Sequence, residues 1–235
     1  MKTTRNSIFL ILFFYFSAQS QENDFQTWHS ISSTIDFNVI LVPDQLFTKT
    51  KRKGSITFKQ GYRLRENSSL LSKQFSDFRF KLRLNKRLSF AMGYRYLTEW
   101  DHPIESSLLL FYPYIDNKNR YYTDILFSSE INKRLDLNLR TRYLFQGNIF
   151  GYYSTIREKV KFSYNLKKTK LEPAIAIECF YNWNTNIDKM RYTFGFSYPL
   201  GKKIAFDITY RIQQEFYANN PQTLFIFEGK LAYKL

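Results

Sequence analysis

Histidine appears twice and cysteine once in this chain of 235 residues, and glycine and proline only eight and six times. The single cysteine, Cys179, excludes an intramolecular disulfide. His29 and His102 stand far apart with no second cysteine to join them, so no metal is expected. No glycine-rich phosphate loop or dinucleotide fingerprint occurs, so no cofactor is expected either. Asp and Glu number 20 against 35 Lys and Arg, which sets a formal net charge of +15. The helical period is nearly missing too, and that leaves strands to build the fold.

Long hydrophobic runs are absent with one exception. Ile8 to Phe16 ("IFLILFFYF") follows Lys2 and Arg5 and precedes small residues at Ala18 and Ser20. That order is a secretory signal with cleavage expected after Ser20. Its nine apolar residues fall short of the about 20 that a membrane helix needs. Residues 1–20 are therefore expected to be removed, leaving 21–235 as one β-barrel domain. Loss of Lys2 and Arg5 lowers the charge from +15 to +13. An exported chain with that basic excess meets lipid phosphate rather than nucleic acid.

What is present is a strict period of two. Phe78, Phe80, Leu82 and Leu84 alternate with Arg79, Lys81, Arg83 and Asn85, and Leu88, Phe90, Met92, Tyr94 and Tyr96 continue after a short turn. "NKRLSFAMGYRYL" from Asn85 is written again as "NKRLDLNLRTRYL" from Asn132, with seven of thirteen positions identical. Each copy reads as the turn and outgoing strand of a β-hairpin. "NLKKTKL" and "PLGKKIAF" supply two more lysine-rich turns of the same kind. Eleven strands are expected, at 26–40, 54–66, 74–85, 87–99, 118–132, 134–147, 152–166, 170–183, 189–199, 203–216 and 222–235. Single-chain bacterial barrels use even strand numbers, and Ser106 to Ile115 is a candidate twelfth strand, so the expectation is ten to twelve. The run "KTKRK", Lys49 to Lys53, reads as a solvated turn that can touch lipid headgroups.

Alternation alone does not say which face points inward. A soluble exported carrier of lipocalin type would line a pocket with its aromatic face, whereas a membrane barrel turns that face to lipid. The polar face carries Arg79, Lys81, Arg83, Arg95, Arg140, Arg142, Arg157, Lys159, Lys161 and Arg211, with Asp77, Asp136, Glu178 and Asp207 among them. A water-lined lumen tolerates such a set. Aromatic pairs near strand ends, Tyr96 with Trp100, Tyr181 with Trp183 and Phe216 with Tyr217, fit interfacial girdles. The all-β reading is thus a single antiparallel up-and-down transmembrane barrel.

The C-terminal segment "TLFIFEGKLAYKL" places Phe225, Phe227, Leu231, Tyr233 and Leu235 on one face. It resembles the last strand of outer-membrane proteins, which the assembly machinery of that membrane recognises, although Leu235 stands where Phe is usual. Together with "DFQTWHSISS", "FSDFRFKLRLNKRLSFAMGYRY", "YNLKKTKLEPAIAIECFYNW" and "ITYRIQQEFYANNPQTLFIFEGKLAYKL", the chain resembles domain of unknown function 2490, a family of outer-membrane barrels common in Bacteroidetes-type bacteria. The resemblance implies an outer-membrane location in a Gram-negative cell; the barrel reading adds contact with outer-membrane lipid and lipopolysaccharide, and a monomer. The resemblance implies no activity.

Chemistry is sparse. His102, in "EWDHPIESS" beside Asp101, Glu105, Ser106 and Ser107, is the one weak candidate for a catalytic group. No serine is fixed near it by a recognised motif, so the chain reads as a non-enzyme, with a lipid- or lipopolysaccharide-modifying enzyme as the alternative. The lumen is then either a narrow path for anions and small solutes or a salt-bridged structural plug. Cell fractionation is expected to give an outer-membrane band that needs detergent for release and shifts on boiling; a salt-soluble, unshifted band would contradict the barrel.

Overall fold

The computed structural model describes residues 22–41, 50–101, 114–148, 151–182, 186–216 and 222–235. The described residues form eleven strands: β1 (Glu22–Leu41), β2 (Thr50–Arg65), β3 (Leu70–Arg83), β4 (Leu88–Asp101), β5 (Tyr114–Glu130), β6 (Leu135–Asn148), β7 (Gly151–Tyr164), β8 (Glu172–Asn182), β9 (Asn186–Pro199), β10 (Ile204–Glu215) and β11 (Gln222–Lys234). They close into one barrel in which each strand is hydrogen-bonded to its sequence neighbours. Every such pair is antiparallel. The seam is different. β1 and β11 run parallel, from Glu22 opposite Gln222 to Thr34 opposite Lys234.

The even strand number expected from bacterial barrels gives way to eleven for a geometric reason. In an up-and-down meander of odd count, the first and last strands point the same way, so closure requires a parallel ladder. Of the candidate twelfth strand, Tyr114 and Ile115 begin β5, while 106–113 lie outside the described residues. The basic run at 49–53 is also corrected. Thr50 to Lys53 extend β2 as far as β1 reaches, from Leu41 opposite Thr50 to Asn38 opposite Lys53. A partner strand with unmatched backbone groups outweighs the local polarity of four side chains, because each open N–H and C=O needs a partner.

The repeated "NKR" segments turn at the same end of the barrel and in the same way. Asn85 Oδ1 accepts from the backbone N–H of Arg87 at 2.8 Å and of Leu88 at 2.7 Å. Asn132 Oδ1 accepts from Arg134 and Leu135, each at 2.9 Å. The backbone of Leu84 donates to Leu88 and that of Ile131 to Leu135, closing both hairpins. An Asn side chain that replaces missing backbone partners is the reason for Asn at both positions. Arg87 O then accepts from Ser128 N, and Arg134 O from Asn165 N, so each turn also steadies the next strand.

The barrel is apolar outside and polar inside. Ile31 is 64% exposed, Phe78 49% and Phe194 55%, and the outward faces of all strands carry residues of this type. Buried polar and charged residues outnumber buried apolar ones among the described residues, with Asp124 and Ile226 fully enclosed. The soluble-carrier arrangement, with the aromatic face lining a pocket, is therefore overturned. Asn132→Ala is expected to lower stability by about 1–2 kcal/mol, from two lost side-chain hydrogen bonds, while the boiling shift survives. A urea midpoint equal to that of the wild type would remove the turn explanation of the repeat.

Candidate functional site: a basic lumen

Side chains two apart on each strand project into the lumen, and long Arg and Lys chains reach across it. A central cavity of ≈ 480 Å³ is lined by eleven Lys and Arg and four Asp and Glu, an excess of seven positive charges. A second cavity of ≈ 340 Å³ adjoins it toward the end where β1 begins. Both are bounded by one layer that includes Trp28, Arg63, Arg95, Tyr122, Arg142 and Arg191. A third cavity of ≈ 490 Å³ lies at the short-turn end and is lined by Lys53, Lys81, Arg83, Lys86 and Arg87 together with Asp36.

Four carboxylates organise the central charges. Asp124, with no exposed surface, accepts from Arg142 Nε at 2.6 Å and Nη2 at 2.9 Å, and from Arg79 Nη2 at 2.9 Å. The two bonds from Arg142 form the planar fork that guanidinium offers a carboxylate. Glu178, 2% exposed, is met by four cations. Lys159 lies at 2.8 Å, Arg191 at 3.2 Å, Arg140 at 3.5 Å, and Arg157 is in direct contact. Asp77 accepts from Arg95 Nε at 2.7 Å and from the Tyr122 hydroxyl at 2.9 Å. Glu228 pairs with Arg211 and, at 3.7 Å, with Lys59.

The layer between the cavities is built of guanidinium planes on aromatic rings. Arg63 lies 3.9 Å from the ring of Trp28, which faces it directly across β1 and β2. Arg191 and Arg211 lie 5.2 and 5.3 Å from the same ring. Arg142 covers Tyr122 at 3.8 Å, and Arg157 and Arg191 cover Phe180 at 4.6 and 4.9 Å. A guanidinium stacked on a ring keeps its N–H edge free for an anion. Small residues make room: a Cβ at Gly61 would stand 2.6 Å from the Phe75 ring, and one at Gly93 would overlap Tyr122. Arg63 and Phe180 also border the register shifts of β2–β3 and β8–β9, and such bulges re-aim neighbouring side chains.

Arg63 stands apart from its neighbours. Among the described residues it makes no ion pair, and its Nε has no hydrogen-bond partner. The Nε atoms of Arg79, Arg140 and Arg157 are likewise unpartnered.

Of the residues that alternation placed in the lumen, Arg79, Arg95, Arg140, Arg142 and Arg211 converge on the central cavity, with Arg157 and Lys159. Lys81 and Arg83 sit lower, in the short-turn cavity. Phe225, Phe227, Leu231 and Tyr233 face outward on β11, and the Leu235 backbone N–H donates to Thr34 at 2.9 Å beside the seam. His102, Trp183 and Tyr217 lie outside the described residues. His29 stacks on Tyr62, ring centroids 5.0 Å apart, and Tyr62 is an exposed residue of the outer face. No group of three metal-ligating side chains occurs among the described residues. Trp28, Arg63, Arg191 and Asp124 escaped the sequence reading. The signal was there, since Arg63 lies two residues from Gly61 and four from Lys59, but alternation does not say which inward residues meet.

A family assignment covers most of this barrel, matching residues 25–224. The chain belongs to the family described as "Protein of unknown function (DUF2490)". No curated protein matches it. Among solved structures it is similar to "KdgM porin in complex with disordered oligogalacturonate", at 10% identity and a TM-score of 0.43, over 78% of this chain and 91% of that one. For this DUF2490 chain the chemistry therefore has to be argued from its own lumen. Glu178→Gln would leave four cations around a neutral amide, and removing one partner of a buried ion pair costs about 3–5 kcal/mol. The expected readout is a large fall in the urea midpoint of the detergent-folded barrel; Lys159→Gln, which leaves three cations on the carboxylate, is expected to cost less than half as much.

Proposed function

We propose that this chain is an outer-membrane β-barrel whose lumen passes small anions, without catalysis. The observation that carries this reading is the excess positive charge of the central cavity, above all Arg63 over Trp28, which makes no ion pair among the described residues. Cations enclosed by low-dielectric walls raise the local concentration of anions and repel cations. Stacking holds the guanidinium edges in fixed positions, so an anion passes from one fork to the next without waiting for side chains to reorganise. The outward apolar faces support the membrane location, since a lipid-facing charge is costly while a lumenal one is not. In the same reading, β11 with Phe225, Phe227, Leu231, Tyr233 and Leu235 is the segment that barrel-assembly machinery engages, and lipid and lipopolysaccharide surround the monomer.

The ion pairs around Glu178 and Asp124 favour a second reading, a lumen closed by its own salt bridges. Barrels of about eight strands are filled by side chains, and open channels appear at about sixteen; eleven lies between them. Planar-bilayer recording separates the two. The expected result is single-channel current with a reversal potential that favours chloride over potassium under a salt gradient. Arg63→Gln is expected to reduce that preference several-fold while the protein folds normally. Absence of current from carbonate-resistant, heat-modifiable protein would overturn the path and leave the plug.

A further inference from the structure

The two rims of the barrel differ in charge. At the end where β1 joins β2, strands are connected through residues 42–49, 84–87, 131–134, 165–171 and 200–203, which hold ten Lys and Arg against one Asp. At the other end the connecting residues, 66–69, 102–113, 149–150, 183–185 and 216–221, hold no Lys or Arg and two Glu. Connection length does not explain this, because the two sets contain the same number of residues. In the four described basic turns, Lys86, Arg87, Lys133, Lys202 and Lys203 are exposed, as are the three lysines between Asn165 and Leu171. None of these cations, nor half-buried Arg134, makes an ion pair among the described residues.

The turn geometry holds the ring in place. Asn85 and Asn132 spend their side chains on the backbone, so closing these turns takes no side chain from the Lys-Arg pairs that follow, of which Lys86, Arg87 and Lys133 are exposed. Three of the turns are only four residues long, so their cations sit at the rim itself, level with lipid headgroups, rather than on arms beyond it. Moving Lys or Arg through hydrocarbon is costly, so the rim without them is the one that crosses a bilayer. The cationic rim is left on the side from which the barrel inserts, where phospholipid headgroups supply anions.

We infer that the nine Lys and Arg of these four turns form an electrostatic anchor for anionic glycerophospholipid headgroups, and that this anchor sets the direction in which the barrel crosses the membrane. The inference rests on the membrane reading above but not on ion passage. It draws on residues that the lumen does not use, apart from Lys86 and Arg87 at the lower cavity.

The experiment folds urea-unfolded protein into preformed vesicles, either of phosphatidylcholine alone or with added phosphatidylglycerol. Two reporters are made in a Cys179→Ser background, Thr169→Cys on the basic rim and Ser69→Cys on the opposite rim, and a membrane-impermeant maleimide is added outside. With phosphatidylglycerol at low salt, Thr169→Cys is expected to label and Ser69→Cys to stay protected until detergent is added. Replacing the nine cations by Gln is expected to bring the two reporters to equal labelling. High salt, which screens exposed charges without any substitution, is expected to do the same. Equal labelling of both rims with the native ring would overturn the anchor, as would a bias that survives both the Gln variant and phosphatidylcholine alone. A chain that alkaline carbonate strips from the vesicles overturns the membrane reading as well.

Discussion

Every backbone N–H and C=O in a strand needs a partner, and in a bilayer no water is available to supply one. A sheet meets that demand only by closing on itself. In this chain closure falls on the parallel seam between β1 and β11, where Thr34 and Lys234 end the shared ladder and the Leu235 N–H reaches one step further to Thr34. Closure has a second effect. Once the register is fixed round the ring, every alternate residue is committed to the lumen and the rest to the outside, because a slip of one residue would exchange the faces. The exposed positions of Ile31, Phe78 and Phe194 and the enclosed position of Asp124 are two results of the same commitment.

An eleven-stranded ring encloses more space than aliphatic side chains can fill, and the residues inside are correspondingly long. Arg and Lys cross the lumen from one wall to charges on another, as when Arg79 on β3 reaches Asp124 on β5. Like charges stand directly opposite each other at Arg142 and Arg157, a pairing that is unfavourable by itself. Each is drawn to its own carboxylate, Asp124 for one and Glu178 for the other, so the repulsion is offset on both sides. In the layer between the cavities aromatic rings act beside the carboxylates. Tyr122 and Phe180 carry Arg142 and Arg157, which also pair with Asp124 and Glu178, while Trp28 carries Arg63, which makes no ion pair among the described residues. The central lumen is thereby ordered yet still positive, which is the combination an anion path needs and a sealed plug does not.

Much of this was legible along single strands. Arg79 and Lys81, Arg140 and Arg142, and Arg157 and Lys159 show their common face by spacing alone, and the Asn-Lys-Arg turns show themselves by repetition. What escaped was of two kinds. Trp28 was given no place by alternation, and the pleat of β1 turns it inward beneath Arg63. Thr50 to Lys53 looked like a turn because charge blocks usually are, yet β1 continues past that level and holds them as strand.

The sequence by itself determined the barrel class, the polar and apolar faces of each strand, and the chemistry of the turns, because side-chain alternation and turn hydrogen bonds involve residues only a few positions apart. It also determined that one set of connections would be basic and the other free of Lys and Arg. Only the tertiary structure decided that the apolar faces point outward, that an odd number of strands closes through a parallel seam, and that Arg63 makes no ion pair among the described residues. Those outcomes depend on contacts between strands tens of residues apart, such as Asp77 with Tyr122 and Arg79 with Asp124. Such contacts exist only once the ring has closed and its register has set which inward residues stand at the same height.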